Sequence, residues 1–240
     1  MKTVLVDHRL PKGAAEALSR DDFRVVKLPS AGALYPSPIA SHADMILFHH
    51  GTTVITSEEY RREHPELFEE LEGRLPYYRF IYTEDRQSAD YPRDAIYNAL
   101  VIGDRLFCKT DTVAGAILDY AKEAGLTVIN TAQGYPSCTV LSLGDRAVTA
   151  DRGMARVLEK CGIPVYVISD SAFIGLMPYD YGFIGGSAGI HGGTVYFLGD
   201  VREHPDSGTI LRAIADAGLD MRILPVDGGM LDLGRLIFCE

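Results

Sequence analysis

Six of the sixteen residues from 179 to 194, YDYGFIGGSAGIHGGT, are glycine, and they surround one histidine, His191. A backbone this permissive, directly before the strand-like TVYFLGD, marks a place where the chain bends sharply or approaches another group closely. A histidine held there can serve as acid, base or ligand near neutral pH; bonded to backbone in a turn, it would be structural. Three other stretches carry chemistry-capable residues. YPRDAIYN holds Arg93, Asp94 and Asn98, and a carboxylate such as Asp94 can meet a planar cation in a charge-assisted, bidentate pair. QGYPSC holds Gln133, Tyr135 and Cys138, a cysteine that is either a nucleophile or a small buried residue at a strand start. DGGMLD holds Asp227 and Asp232. The pair His49-His50 beside a turn lacks a carboxylate at metal-ligand spacing and reads as strand and turn. The GGSAG segment, with Gly185 and Gly186, lacks the lysine and the spacing of a phosphate-binding loop.

The elements that must position these residues follow from pattern. TVLVDHR and FRVVKLP read as strands on either side of an alanine-rich helix. A Pro/Ser/Gly-rich loop follows over residues 28–42. DMILFHHGTTVITSEEY reads as two strands turning at Gly51, with Ser57 as the cap of a helix that Pro65 interrupts. A unit of hairpin, helix and strand then repeats. Its turns align at Gly103-Asp104-Arg105, Gly144-Asp145-Arg146, Gly199-Asp200 and Gly234-Arg235, at intervals of 41, 55 and 35 residues. The widest interval contains the glycine-rich stretch. The hairpin at Gly51 adds a fifth, and the last hairpin lacks a helix and strand that the N-terminus has to spare. The pattern predicts five ββαβ units closed into a ring by pairing the two ends, which also removes the exposed edge of an open array. The alternative is an open α+β sheet with coincidental turns.

Five ββαβ units in a ring resemble the pentein, or α/β-propeller, architecture of the guanidino-group-modifying enzymes: arginine deiminase, agmatine deiminase, dimethylarginine dimethylaminohydrolase and the amidinotransferases. More closely, the chain is similar to an uncharacterised bacterial family of that fold, through Gln133-Gly134-Tyr135-Pro136-Ser137-Cys138, Gly182-Phe183-Ile184-Gly185-Gly186 and Asp232-Leu233-Gly234. The resemblance implies one pentein-like domain over residues 1–240, with an axial small-molecule pocket. It places Arg93-Asp94 where the enzymes hold the substrate guanidinium, and His191 where they keep a histidine. Two departures stand out. Gln133 replaces the acidic residue of an EGGD-like element, and Asp232 occupies the position of the nucleophilic cysteine. A carboxylate cannot form the thiol-derived adduct. Cys138 is then a displaced nucleophile if it meets His191, and Cys239 reads as structural.

Composition narrows the partners. A net charge of −10 and the absence of a basic stripe argue against nucleic acid. The four cysteines, Cys108, Cys138, Cys161 and Cys239, form neither CxxC pairs nor zinc spacing. With no signal-like or membrane-length apolar run, the expectation is a cytoplasmic protein with reduced thiols, no metal and no cofactor, a small-molecule ligand that is cationic in the guanidinium reading, and a homo-oligomer left open. Two functions stand: a divergent hydrolase or transferase acting on a guanidinium or amidine compound through Asp94, Cys138, His191 and Asp232, with Arg93, Asn98, Gln133, Tyr135, Gly185, Gly186 and Asp227 around the ligand; or a non-catalytic binding module on the same fold.

Overall fold

The computed structural model describes residues 2–32, 37–85, 87–169 and 172–240; part of the predicted loop at 28–42 thus lies outside the described residues. Strands β1 (Lys2–Asp7) and β2 (Phe23–Leu28) run parallel, joined by the helix Lys12–Arg20. Strands β3 (Leu47–His50) and β4 (Thr53–Ser57) form a hairpin at Gly51, and β5 (Arg79–Thr83) lies parallel to β4. The same unit recurs as β6 (Leu100–Ile102), β7 (Arg105–Cys108) and β8 (Thr127–Asn130) around the helix Gly115–Glu123. It recurs again as β9 (Val140–Ser142), β10 (Ala147–Thr149) and β11 (Val165–Val167) around the helix Arg152–Lys160. A short strand, β12 (Ile174–Gly175), precedes the next unit. That unit is β13 (Ala188–His191), β14 (Thr194–Leu198) and β15 (Asp220–Leu224), with the helix Ser207–Asp216 before β15. Finally β16 (Met230–Leu231) pairs in parallel with β12, and β17 (Ile237–Cys239) pairs antiparallel with β1, Thr3 opposite Cys239.

Local chemistry explains the boundaries. Gly51, Gly103 and Gly144 turn their hairpins with φ of 57°, 60° and 80°, a region that costs other residues energy. The Ser57 hydroxyl accepts from the backbone N–H groups of Glu59 and Tyr60 and caps the helix Glu58–Glu63, and Pro65 restarts a helix at its first turn, where its missing N–H costs nothing.

Two predicted hairpins fall elsewhere. The fourth turns at Gly192-Gly193, φ 55° and 80°, not at Gly199. TVYFL is therefore the second strand of its unit, and AGIH the first. The buried run Ser187-Ala188-Gly189 looks like loop because it is glycine-rich, but it packs against the chain before β17: a Cβ on Gly189 would meet Leu236 O at 2.3 Å. Nor does Gly234 turn a hairpin, since β16 and β17 pair with different partners, β12 and β1.

The apolar core lies between successive units. Leu5, Val26 and Leu28 of the terminal sheet pack with Leu47, Val54, Tyr60 and Phe68 of the next. Phe48 and Ile55 pack with Leu106 and Ile117, Leu100 and Phe107 with Val140 and Leu158, and Leu141 and Val148 with Val195 and Phe197. Tyr196, Leu198 and Leu224 return to Val4, Val6 and Phe238 of the terminal sheet. No helix among the described residues is long and apolar enough to cross a membrane.

Candidate functional site

Each sheet that contains an antiparallel pair is entered by a short segment running into its first strand. Two residues before those first strands stand Met45, Asn98, Cys138, Gly186 and Arg235. These segments are bonded to one another in order. The Asn98 side-chain amide donates to Asp44 O at 3.1 Å, and Ser137 N donates to Asn98 Oδ1 at 2.8 Å. Gly186 N donates to Cys138 O at 3.0 Å, Arg235 N to Gly186 O at 2.9 Å, and Asp44 N to Gly234 O at 3.1 Å, back at the first segment. The result is a buried belt in which most polar side-chain atoms find partners, as a dry interior requires, with Asp44 Oδ1 the exception.

Cys138 sits in that belt. Its thiol donates to Asp44 Oδ2 at 2.9 Å, and the Asn98 amide nitrogen lies 3.1 Å from the sulfur. Burial, then the carboxylates of Asp44 and Asp232, push the thiol well above its usual range. Burial likewise raises Asp44, against the pull of the Cys138 hydrogen bond and of Arg235. A thiol in this setting keeps its proton.

On one side of the belt is a cavity of about 340 Å³ lined by His42, Met45, Asp94, Tyr135, Cys138, Tyr179, Asp180, Tyr181, Phe183 and Asp232, together with Ile39 and Leu176. The 3-10 turn Arg93–Ala95 buries Asp94. Its Oδ2 accepts from the Tyr135 hydroxyl at 2.5 Å, while Oδ1 is buried with no partner among the described residues. Burial pushes this carboxyl up, and the Tyr135 hydrogen bond draws it part of the way back.

Asp232 is held by the backbone. Phe183 N donates to Oδ2 at 2.8 Å and Gly234 N to Oδ1 at 3.0 Å. The glycines of GFIGG make that possible: a Cβ on Gly186 would lie 2.0 Å from Asp232 Oδ1, and one on Gly182 2.5 Å from Asp232 Cβ. Gly185 is needed for a different approach, since its Cβ would meet the carbonyl oxygens of Ser137, Cys138 and Val140 at 2.4–2.6 Å. Beside Asp232 is His42, which the sequence reading did not single out. Its Nδ1 lies 3.9 Å from Asp232 Oδ1 and its Nε2 3.9 Å from Asp7 Oδ2. Asp7 is itself clamped by Arg9, at 2.6 Å and 2.9 Å. Burial lowers the His42 pKa despite those two carboxylates, so the ring is neutral at pH 7.

Of the residues singled out from sequence, Asp94, Tyr135, Cys138 and Asp232 line this one cavity. Asn98, Gly185 and Gly186 build its floor through the belt. Gln133 stands one step aside, bonded to Asp151 Oδ2 at 3.0 Å and to Tyr135 N, where it orders the QGY turn. Arg93 and Asp227 are exposed and do not line the cavity. His191 does not either. It ends β13, at the hairpin-turn end of its sheet, with its ring 5.0 Å from that of Phe23 and 5.4 Å from that of Phe238, and Nδ1 3.4 Å from Glu240 Oε1. The expected meeting of Cys138 and His191 is replaced by the Cys138–Asp44 bond. The shift follows from the hairpin register: with the turn at Gly192, the segment that enters the fourth unit is GFIGGS, and it brings glycines to the cavity instead of a histidine. Aligning the repeats on their first strands, not their turns, would have exposed His42-Ala43-Asp44 and Arg235.

The cavity wall is acidic and aromatic. Among the described residues no lysine or arginine lines it. Carboxylates with a free acceptor beside aromatic faces suit a compact organic cation, and no group of three or more His, Cys, Asp or Glu among the described residues could hold a metal ion.

Over residues 5–237 the chain matches the family of unknown function DUF6873, and it belongs to that family. No curated protein matches it. Among solved structures it is similar to DDAH from Pseudomonas aeruginosa complexed with citrulline, at 13% identity and a TM-score of 0.55, covering 95% of this chain and 96% of that one. It is similar to SxtG, an amidinotransferase from Microseira wollei in the saxitoxin biosynthetic pathway, at 9% identity and a TM-score of 0.54, covering 97% and 94%. It is also similar to the substrate-bound N-terminal domain of ArgZ, an arginine dihydrolase from the ornithine-ammonia cycle in cyanobacteria, at 15% identity and a TM-score of 0.55, covering 94% and 92%. At these identities the likeness shows a mixed α/β fold of the pentein kind and nothing finer.

Proposed function

We propose that this chain is a single pentein-like domain whose five units form a ring, the fifth assembled from both termini, and that the cavity bearing Asp94 binds a small guanidinium or amidinium compound. Pairing of β17 with β1 and the belt of five hydrogen bonds that returns to Asp44 support the ring. The observation that carries the ligand is Asp94, which lines the cavity: one oxygen is fixed by Tyr135, the other is buried without a partner among the described residues, and no described lysine or arginine lines the cavity. A planar N–H donor supplies the missing bond. Its charge also favours the ionised carboxylate that burial disfavours. Tyr135, Tyr179, Tyr181 and Phe183 give it aromatic faces. The solved structures of similar fold include proteins named for work on guanidino compounds, which agrees with this class of ligand.

Covalent thiol chemistry is not part of the proposal. Asp232 stands where the resemblance puts the nucleophile, and the Cys138 proton is held by Asp44. The protein is therefore a divergent member of its fold, in which binding is retained and any turnover proceeds without a thiol adduct. Titration calorimetry with agmatine, arginine and methylguanidine tests the reading, with citrulline as the uncharged counterpart. At least one cation should bind at sub-millimolar concentration and citrulline should not. Replacing Asp94 by Asn should weaken the cation roughly 10- to 100-fold, the worth of a hydrogen bond to a charged group. Equal binding of charged and uncharged compounds, or none at millimolar levels, would overturn it.

A further inference from the structure

A second cavity, of about 220 Å³, lies along the first strands β3, β6, β13 and β17, and is bounded at the belt by Asp44, Ser137 and Arg235. It shares the belt with the Asp94 cavity but not its lining: Met45 and Cys138 face one, Asp44 and Ser137 the other. At the liquid's share of about 30 Å³ per water it has room for roughly seven waters, or one small molecule.

Its polar groups are of two kinds. Arg235 makes one side-chain hydrogen bond among the described residues, from Nη1 to Ser137 Oγ at 3.2 Å, and no ion pair within 4.0 Å. Most N–H donors of its fork are unspent. Asp44 acts on it only through space, while Asp44 Oδ1 is buried and has no partner among the described residues. Thus a half-buried cationic fork with one acceptor, Ser137 Oγ, and a carboxylate with a buried oxygen that lacks a donor among the described residues belong to residues that border one cavity. His49, which lines the same cavity, is neutral, its pKa pushed down to about 4 by burial and by Arg235. It supplies no competing charge.

We propose that this second cavity is a binding site for a small oxyacid anion that carries its own hydroxyl, with oxygens accepting from Arg235 and the hydroxyl donating to Asp44 Oδ1. The pairing gives the unspent Arg235 donors an acceptor and Asp44 Oδ1 a donor at once. A plain carboxylate would satisfy only Arg235 and would face the Asp44 oxygen unpaired, which is costly in a buried site. A simple cation would satisfy Asp44 and be repelled by Arg235. The site is independent of the guanidinium reading, since the two cavities have separate linings.

Glycolate and acetate make the discriminating pair: the same charge, with and without the hydroxyl. Calorimetry on the intact protein at constant ionic strength should show glycolate binding, with acetate about tenfold weaker or more and chloride absent. Arg235→Gln should weaken glycolate roughly 10- to 100-fold, whereas Asp94→Asn, in the other cavity, should leave glycolate binding unchanged. Native protein that binds no glycolate, or glycolate affinity retained in Arg235→Gln, overturns the site; acetate binding as tightly as glycolate overturns the role of Asp44. Because Arg235 is part of the belt, its variant could fail to fold. Crystals of the native protein soaked in glycolate then decide: density between Arg235 and Asp44 supports the site, and density elsewhere or none refutes it.

Discussion

Replacing Gly186 by Ala tests whether the glycine-rich stretch exists to admit the Asp232 carboxylate. A methyl at that position would lie 2.0 Å from Asp232 Oδ1, 2.5 Å from Cγ and 2.9 Å from Oδ2. Gly186 is not among the glycines with positive φ, so the alanine backbone itself is unstrained and the cost is steric. Overpacking a tight interior costs about 1–3 kcal/mol. Here the displaced group is also tied to Phe183 N and Gly234 N, so moving it forfeits charge-assisted bonds worth roughly 1.5–3 kcal/mol each. The expected loss is about 3–5 kcal/mol. At roughly 2–4 °C per kcal/mol for a chain of this size, Tm should fall by about 6–20 °C. Urea unfolding of Gly186→Ala, Asp232→Ala and the double variant isolates the cause. Truncating Asp232 removes all three close atoms, so adding the alanine at 186 to that background should cost under about 1 kcal/mol, a coupling of about 2 kcal/mol or more. Gly208→Ala is the control: its helix position faces open space, and alanine there should stabilise by about 0.5–1 kcal/mol. Additivity at Gly186 and Asp232 within about 0.5 kcal/mol would refute the close-approach argument.

Other outcomes follow from the same geometry. His49 is held neutral, its pKa pushed from 6.5 down to about 4 by burial and then by Arg235; the unfolded chain binds the extra proton first, so this contribution is present above pH 6.5 and lost as pH falls towards 4. It amounts to about 3 kcal/mol at 1.36 kcal/mol per pH unit, and urea titrations of His49→Gln should show a pH dependence over that window flatter by about this amount; an unchanged slope would contradict it. Cys138 should resist thiol reagents at pH 7 while the half-buried Cys161 reacts, and a fast Cys138 phase by mass spectrometry would refute the Asp44-held thiol. Cys138→Ser should fold and keep its ligand, because a serine hydroxyl can also donate to Asp44. Cation binding should weaken as pH falls through the raised Asp94 range, which lies above the usual 3.8, and binding that tracks the ordinary carboxylate value would count against burial as the cause.

The repeat was legible because two of its turns, Gly103-Asp104 and Gly144-Asp145, carry the same Gly-Asp pair and because a glycine at positive φ is nearly obligatory in each. Asp94, Tyr135, Cys138 and Asp232 were legible because each stands in a short segment with few other residues able to do chemistry. Pairings over long sequence distance were not. Nothing local to His42 signals Asp7 and Asp232, which lie 35 residues before it and 190 after it. His191 misled for a related reason: strand propensity identified TVYFL correctly, but a glycine-rich neighbour gave no local sign that AGIH pairs with it. There the strand is fixed by close packing of Gly189 on Leu236, a tertiary contact that overrides propensity.

The belt also shows why the fourth unit carries no side chain at this position. Four of the five positions two residues before a first strand carry a side chain into the belt: Met45, Asn98, Cys138 and Arg235. The fifth, Gly186, holds none, and its empty volume is taken by Asp232 from the following unit. An acidic group placed that way cannot rotate freely, because Gly182, Phe183 and Gly234 enclose it and two backbone donors hold both oxygens. It can still bias its surroundings: it lines the cavity, lies 3.9 Å from the neutral His42, and adds to the negative potential that keeps the Cys138 thiol protonated. A fixed carboxylate at this position thus acts on more than one neighbour. It turns the neighbouring cysteine away from thiolate chemistry and leaves Asp94 in a cavity with a second buried carboxyl group, a crowding that burial answers by raising both pKa values and that the proposed cationic guest would also relieve.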